Sequence, residues 1–129
     1  MAVKLDMIGI VCADVDASLR FYRALGMDAP ESSNGEPYVE CTLPGGIRMS
    51  WNALSMAKEI DPSWEEPRGH RMGLAYLCDS PLHVDQLYES LVGQGYASHM
   101  APWDAFWGQR YAQIVDPDGN LVDLFAPLA

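Results

Sequence analysis

The sequence predicts a mixed α+β fold in which a strand, a helix and a set of further strands occur twice. Two short apolar runs, MIGIVC and GLAYLC, have the composition of strands. An acidic residue, Asp14 or Asp79, follows each run, and apolar residues at helical spacing come next. Because 129 residues suffice for only one ordinary domain, we expect residues 1–129 to form one domain of two tandem βαβββ modules.

The first module, about residues 1–58, contains strand, helix and hairpin signals in that order. After the first strand, four apolar residues at helical spacing predict a helix that ends at Gly26. Residues 27–37 are rich in Pro, Ser, Asn and Gly, which predicts a loop. Segments 38–43 and 47–51 flank the sequence PGG and predict a hairpin.

The second module, about residues 69–129, repeats this order after a proline-containing segment that predicts a short helix and a linker. Its second amphipathic helix leads into a predicted loop that contains Trp103 and Trp107. Segments 110–115 and 121–125 then flank the sequence DPDGN, a strong turn signal. Each module has one sheet face under its helix and one bare face, so we expect the sheet to curl around a cavity.

Composition and charge exclude several classes of function. The formal net charge of −10 argues against a nucleic-acid partner, because binding to phosphates needs a basic surface. No apolar run is long enough to cross a membrane, and no export signal is recognisable, which predicts a cytoplasmic location without membrane binding. The three cysteines are odd in number and lack CxxC spacing, which indicates reduced, structural thiols.

The opening MIGIVCADVDASLRFYRALG and the closing FWGQRYAQIVDPDGNLVDLFAPL together resemble the glyoxalase/bleomycin-resistance/dioxygenase superfamily, also called the vicinal oxygen chelate superfamily. The resemblance spans nearly the whole chain. Within that superfamily, GGIRMSW, IDPSWEEP, APWDAFWGQRYA and DLFAPL resemble the mitomycin-resistance proteins, which belong to its metal-free, drug-binding branch. This resemblance implies a homodimer that sequesters a planar drug between aromatic side chains and makes or breaks no bond.

The resemblance also defines positions at which a metal would be held. Metal-dependent members of the superfamily carry a His at the start of each module's first strand and a carboxylate on each module's last strand. Met7 and Gly73 occupy the first pair of positions, and the internal repeat puts the first carboxylate position at Met49, or at Arg48 after a shift of one residue. Only Asp123 remains, and one carboxylate does not hold a divalent ion. We therefore expect neither a catalytic metal nor another cofactor.

Strand alternation predicts which side chains face the cavity. A period of two puts Tyr38 beside Glu40 and Tyr111 beside Gln113, and the repeat adds the terminal strands and the tryptophan-containing loop. The predicted ligand-binding residues are Tyr38, Glu40, Met49, Trp51, Trp103, Asp104, Trp107, Tyr111, Gln113 and Asp123. Two alternatives stay open: the tryptophans cover the core or a dimer contact, or Trp51 lies beneath a helix.

These expectations favour a non-enzymatic function, the binding and sequestration of a small planar aromatic compound. A drug or quinone would be bound, as in resistance of the mitomycin or bleomycin type. The alternative is a metal-dependent lyase, isomerase or dioxygenase of the same superfamily. A third reading, a component of a larger assembly with an empty cavity, predicts neither a ligand nor a metal.

Overall fold

In the computed structural model, which describes all residues from 1 to 129, seven strands pair into two mixed sheets. One sheet belongs to a first unit, residues 1–67, and the other to a second unit, residues 68–129. Three helices complete the α+β fold, so the predicted fold class is confirmed. None of these helices has the length and apolar character that crossing a membrane requires.

The first unit has the order βαββ followed by a short helix. Its elements are β1 Met7–Cys12, α1 Val15–Leu25, β2 Tyr38–Thr42, β3 Arg48–Ala53 and α2 Leu54–Ile60. Strand β3 lies in the centre, parallel to β1 and antiparallel to β2. Residues 27–37 form no strand, as their Pro, Ser, Asn and Gly content predicts. The unit therefore has one strand fewer than the βαβββ module that we expect from the repeat.

The second unit has the complete βαβββ order. Its elements are β4 Leu74–Leu77, α3 Pro81–Gly93, β5 Ala97–Ala105, β6 Gln109–Val115 and β7 Leu121–Pro127. The sheet order is β4-β7-β6-β5, with β4 parallel to β7 and the other pairs antiparallel. The predicted loop that contains Trp103 is therefore wrong in part, because Trp103 lies in β5 and only Trp107 lies in the turn that follows. Two register shifts within β5 interrupt the alternation by which a strand is recognised.

Local hydrogen bonds fix the ends of the two longer helices. The side chain of Asp14 accepts a hydrogen bond of 3.1 Å from the backbone N–H of Ala17 at the start of α1. Helix α1 ends at Gly26, whose φ of 115° favours glycine. At the start of α3 the capping side chain is that of Ser80, which accepts from the backbone N–H of His83. These contacts set where α1 begins and ends and where α3 begins.

Each sheet buries one face beneath a helix. In the first unit, the ring of Tyr22 on α1 contacts that of Trp51 on β3 with centroids 5.9 Å apart. In the second unit, Val84 and Leu91 of α3 are buried, as are alternate residues of β6 and β7. These strand residues are Ala112, Ile114, Val122, Leu124 and Ala126. The residues between them form the helix-free face of each sheet, where the candidate site lies.

Candidate functional site

The strand register defines the helix-free face of the first unit. Glu40 pairs with Ser50, and Tyr38 pairs with Asn52, so these four side chains share one face. The residues between them point under α1, and Trp51 is 0% exposed. The predicted positions of Met49 and Trp51 on the ligand-facing side are therefore wrong. Strand alternation shows which residues share a face, but it does not show which of the two faces the helix covers. Helix α1 covers the face that carries Met49 and Trp51.

A chain of polar contacts occupies this face. The guanidinium of Arg48 forms ion pairs of 2.5 Å with the carboxylates of Glu40 and Asp6. The hydroxyl of Tyr38 donates a hydrogen bond of 2.9 Å to Glu40 Oε2 and lies 3.3 Å from the Sδ atom of Met7. The hydrogen bond to Glu40 raises the pKa of Tyr38, and the contact with Asp6 raises the pKa of Arg48. Tyr38 and Glu40 thus bind each other, and Arg48 compensates one of the two carboxylate charges.

The helix-free face of the second unit is rich in aromatic side chains. Trp103 on β5 pairs with Tyr111 on β6, and Trp107 lies in the intervening turn. The ring of Trp107 contacts Trp103 at 5.6 Å, Tyr111 at 5.1 Å and Phe106 at 4.9 Å between centroids. All three contacts are close to perpendicular, with interplanar angles of 89°, 77° and 89°. We call Trp103, Phe106, Trp107 and Tyr111 the aromatic cluster.

Hydrogen bonds hold the two indole rings of the cluster. Trp107 Nε1 donates to Gln109 Oε1 at 2.8 Å, and Trp103 Nε1 lies 3.0 Å from the Sδ atom of Met100. Each indole N–H is therefore already engaged. The tryptophans can interact with a further molecule through their ring faces, which suits stacking better than hydrogen bonding.

Two polar side chains adjoin the cluster on the same face. Gln113 Nε2 donates a hydrogen bond of 2.9 Å to Asp123 Oδ1, across directly paired positions of β6 and β7. Burial, followed by the hydrogen bond to Asp123 and the charge of that carboxylate, raises the pKa of Tyr111 from 10.0 to about 12. The phenol of Tyr111 is thus a hydrogen-bond donor at neutral pH. We call Gln113 and Asp123 the polar pair.

Asp104 does not belong to this face. It pairs with Arg110, one residue out of phase with the pairing of Trp103 and Tyr111. Arg110 forms an ion pair of 2.9 Å with Asp85 on α3 and one of 3.1 Å with Asp104. The predicted ligand-facing position of Asp104 is therefore wrong, because its carboxylate is held on the helix side by Arg110.

A family comparison agrees with this arrangement of strands and helices. The family model of the glyoxalase/bleomycin resistance protein/dioxygenase superfamily matches residues 4–124. The chain belongs to this superfamily. No curated protein matches the chain.

Solved structures of the superfamily share the fold. A family enzyme from Burkholderia phytofirmans PsJN is 22% identical, with a TM-score of 0.83 and coverage of 98% of this chain and 100% of that one. A glyoxalase-related enzyme from Fulvimarina pelagi is 20% identical, with a TM-score of 0.81 and coverage of 95% and 87%. A superfamily protein from Nocardioides is 26% identical, with a TM-score of 0.75 and coverage of 99% and 85%.

The register identifies the first-unit counterpart of Asp123. Asp123 lies opposite Gln113 on the neighbouring antiparallel strand, and the equivalent place in the first sheet, opposite Glu40, is held by Ser50. Ser50 also pairs with Gly9 on the parallel strand β1, and Asp123 pairs with Ala75 on the parallel strand β4. The predicted carboxylate position at Met49 is therefore wrong by one residue.

The residues at the superfamily's ligand positions do not fit a divalent metal. They offer a thioether from Met7, no side chain from Gly73, a hydroxyl from Ser50 and one carboxylate from Asp123. The Ser50 hydroxyl already accepts a hydrogen bond of 3.0 Å from Asn52 Nδ2. No group of three or more His, Cys, Asp or Glu side chains is arranged to hold a metal ion. Neither the thioether and hydroxyl of the first unit nor the single carboxylate of the second unit is suited to holding a hard or borderline divalent cation.

Seven of the ten predicted site residues lie on helix-free faces. The second unit brings together Trp103, Trp107, Tyr111, Gln113 and Asp123, and the first brings together Tyr38 and Glu40. Sequence reasoning missed Gln109, which orients Trp107, and Ser50. Gln109 can be recognised from the sequence, because it alternates with Tyr111 and Gln113 along the same strand. Ser50 carries no such signal, because only the strand register distinguishes it from its neighbours.

Proposed function

We propose that this protein binds and sequesters a small planar aromatic compound on the helix-free face of its second unit, without converting it. The observation that carries the proposal is the aromatic cluster next to the polar pair. Three ring contacts around Trp107 present ring faces in different directions, and offset or edge-to-face packing against a ligand ring is favourable. Gln113 and Asp123 supply hydrogen-bonding groups for substituents of the ligand.

The exposure of the cluster supports a binding role. Phe106 is 90% exposed and Trp107 is 46% exposed, although both are large apolar side chains. Adjacent exposed aromatic residues are unfavourable in water and commonly mark a surface that contacts another molecule. A planar ligand would remove part of this apolar surface from water, which contributes about 25 cal/mol per Å².

The chemistry of the face favours binding over catalysis. The donor set at the superfamily's metal positions does not fit a divalent ion, so the reactions that need such an ion lack support here. Because the pKa of Tyr111 is raised to about 12, its phenol stays protonated at neutral pH and no phenolate is available to act as a base. Asp123 accepts a hydrogen bond from Gln113, which orients its carboxylate. These groups orient a ligand, and sequestration of a drug or quinone of the mitomycin or bleomycin type is the proposed outcome.

Tryptophan fluorescence tests the binding. The protein is titrated with menadione, a planar quinone, and with mitomycin C, and we expect saturable quenching that fits one site per chain. The variant Trp107→Leu should weaken binding by about two- to tenfold, as expected for loss of a ring contact. Its matched control is Trp64→Leu, which removes a tryptophan of the first unit that contacts Lys58. Quenching without saturation, or equal weakening in both variants, would contradict the proposal.

A second measurement tests sequestration. The bound compound is extracted after prolonged incubation and its mass is compared with that of the starting material. We expect an unchanged mass and release of the full amount. A product formed in stoichiometric or larger amount would contradict sequestration and would indicate an enzymatic function.

We further propose that the protein acts as a cytoplasmic homodimer, as the sequence resemblance implies. None of the three cysteines forms a disulfide, which is in keeping with a reducing compartment. Sedimentation equilibrium measures the oligomeric state, and a monomer at micromolar concentration would contradict the homodimer.

A further inference from the structure

The distribution of charge on the second unit's helix-free face points to the charge of the ligand. Among the paired positions of this face, Asp123 is the only residue with a formal charge. The one basic residue of β6, Arg110, lies on the other face and already pairs with Asp85 and Asp104. The partners of Asp123 on its own face, Gln113 and Tyr111, are neutral donors. The negative charge beside the aromatic cluster is therefore stabilised by hydrogen bonds but not neutralised.

The aromatic cluster also favours a positively charged ligand. The face of an indole or phenol ring carries the negative part of the ring quadrupole and attracts cations. Near-perpendicular rings, as around Trp107, direct more than one ring face toward the space beside them. The chain as a whole carries a net charge of −10, which favours the approach of cations.

We propose that the ligand of this face is a planar aromatic cation, such as an N-alkylated heteroaromatic ring or a protonated aromatic amine. The inference rests on the proposed function, since it names the class of planar compound that the aromatic cluster binds. In the proposed complex, the rings of the aromatic cluster contact the flat faces of the ligand, and the carboxylate of Asp123 provides the opposite charge.

Two probes of equal size separate charge from shape. N-methylquinolinium and 4-methylquinoline have the same number of heavy atoms, and at mildly alkaline pH only the first is charged. Binding of each to the whole protein is measured by isothermal titration calorimetry at low and at high sodium chloride. We expect the cation to bind more tightly by on the order of tenfold. This preference should shrink as salt is added, because salt screens a charge that solvent reaches.

Variants on the two faces of the sheet identify the source of the preference. The change Asp123→Asn should remove most of it, whereas Asp104→Asn, with the same change in net charge, should leave it intact. The change Gln109→Glu adds a carboxylate to the face away from Asp123, keeps an acceptor for Trp107 and should increase the preference, which provides a second test if Asp123→Asn does not fold. Circular dichroism checks the fold of each variant.

The outcomes distinguish this inference from the function on which it rests. If both probes bind equally, or 4-methylquinoline binds more tightly, the cation preference is refuted and the binding of planar rings stands. If Asp104→Asn reduces the preference as much as Asp123→Asn, net charge alone is responsible and the inference fails. If neither probe binds and the quinones do not bind either, the proposed function and the inference fail together.

Discussion

Gln113 and Asp123 lie directly opposite each other on β6 and β7, and the amide of Gln113 donates a hydrogen bond of 2.9 Å to the carboxylate. The same carboxylate interacts with the hydroxyl of Tyr111, which belongs to the aromatic cluster. The polar pair and the aromatic cluster are thus electrostatically coupled through Asp123. A change at Asp123 should therefore be detectable at Tyr111.

The first prediction concerns the titration of Tyr111. In Asp123→Asn the pKa of Tyr111 should fall from about 12 but stay above its ordinary value of 10.0, because burial, the largest cause of the shift, remains. The near-ultraviolet absorbance of tyrosinate, followed against pH, measures this change, and Tyr111→Phe identifies the transition. An unchanged titration in Asp123→Asn would show that the carboxylate does not act on the phenol.

The second prediction concerns stability at alkaline pH. Because the folded protein holds the pKa of Tyr111 above its unfolded value, the unfolded chain releases this proton first as pH rises. The contribution of Tyr111 is fully present below pH 10.0 and is lost as pH approaches about 12. Urea unfolding at several pH values should show a steeper loss of stability across this range in the wild type than in Tyr111→Phe. Parallel curves for the two proteins would contradict the assignment.

The order of elements could be predicted where local chemistry determines it. Asp14 and Gly26 mark the two ends of α1 in the sequence, and the structure shows both caps. The DPDGN turn likewise lies between β6 and β7. Strand β5 cannot be recognised in the sequence, because its register shifts and the exposed residues of its first half leave no regular alternation. Such irregularity is tolerated because β5 lies at the edge of its sheet.

The faces of the strands could be predicted only in part. The alternation through Met49 and Trp51 shows that they share a face, but both faces of β3 offer a consistent pattern. The choice is made by long-range packing, since Tyr22 of α1 covers Trp51. In the same way, Trp103 and Asp104 are adjacent in the sequence. Only the ion pair of Asp104 with Arg110 shows which of the two side chains lies on the helix side of the sheet.

The third prediction separates two tryptophans by their surroundings. Trp51 is 0% exposed, so Trp51→Ala leaves a cavity beneath α1 and should lower the free energy of unfolding by about 3–5 kcal/mol. Trp107 is half-exposed, and Trp107→Ala should lower it by only about 1 kcal/mol. Urea denaturation measures both changes.

Ligand binding should show the reverse order for these two positions. We expect Trp107→Ala to weaken the binding of menadione and Trp51→Phe, which keeps a buried ring, to leave it unchanged. Trp51→Phe also removes an indole N–H that is buried without a hydrogen-bond partner, so part of the lost packing is offset. Equal destabilisation by the two alanine variants would contradict the placement of Trp51 under the helix.

The fourth prediction concerns the turn that connects β6 to β7. Asp116 is 3% exposed, and its Oδ1 atom accepts hydrogen bonds of 2.9 Å from the backbone N–H groups of Asp118 and Asn120. Its Oδ2 atom accepts another, of 2.8 Å, from the side chain of Asn120. Asp116→Ala removes both acceptor atoms, and with them all three hydrogen bonds, and should lower the free energy of unfolding by about 2–3 kcal/mol, as measured by urea denaturation. Asp116→Asn should lower it less, because the amide oxygen still accepts a hydrogen bond.

An exposed turn of similar chemistry provides the control. Asp61 Oδ1 accepts hydrogen bonds from the backbone N–H and the hydroxyl of Ser63, but its surroundings are open to water. Asp61→Ala should therefore lower stability by less than about 1 kcal/mol, since water replaces the lost acceptor. If Asp116→Ala were no more harmful than Asp61→Ala, the buried carboxylate would not hold the turn. The pairing of Gln113 with Asp123 would then depend on the strands alone.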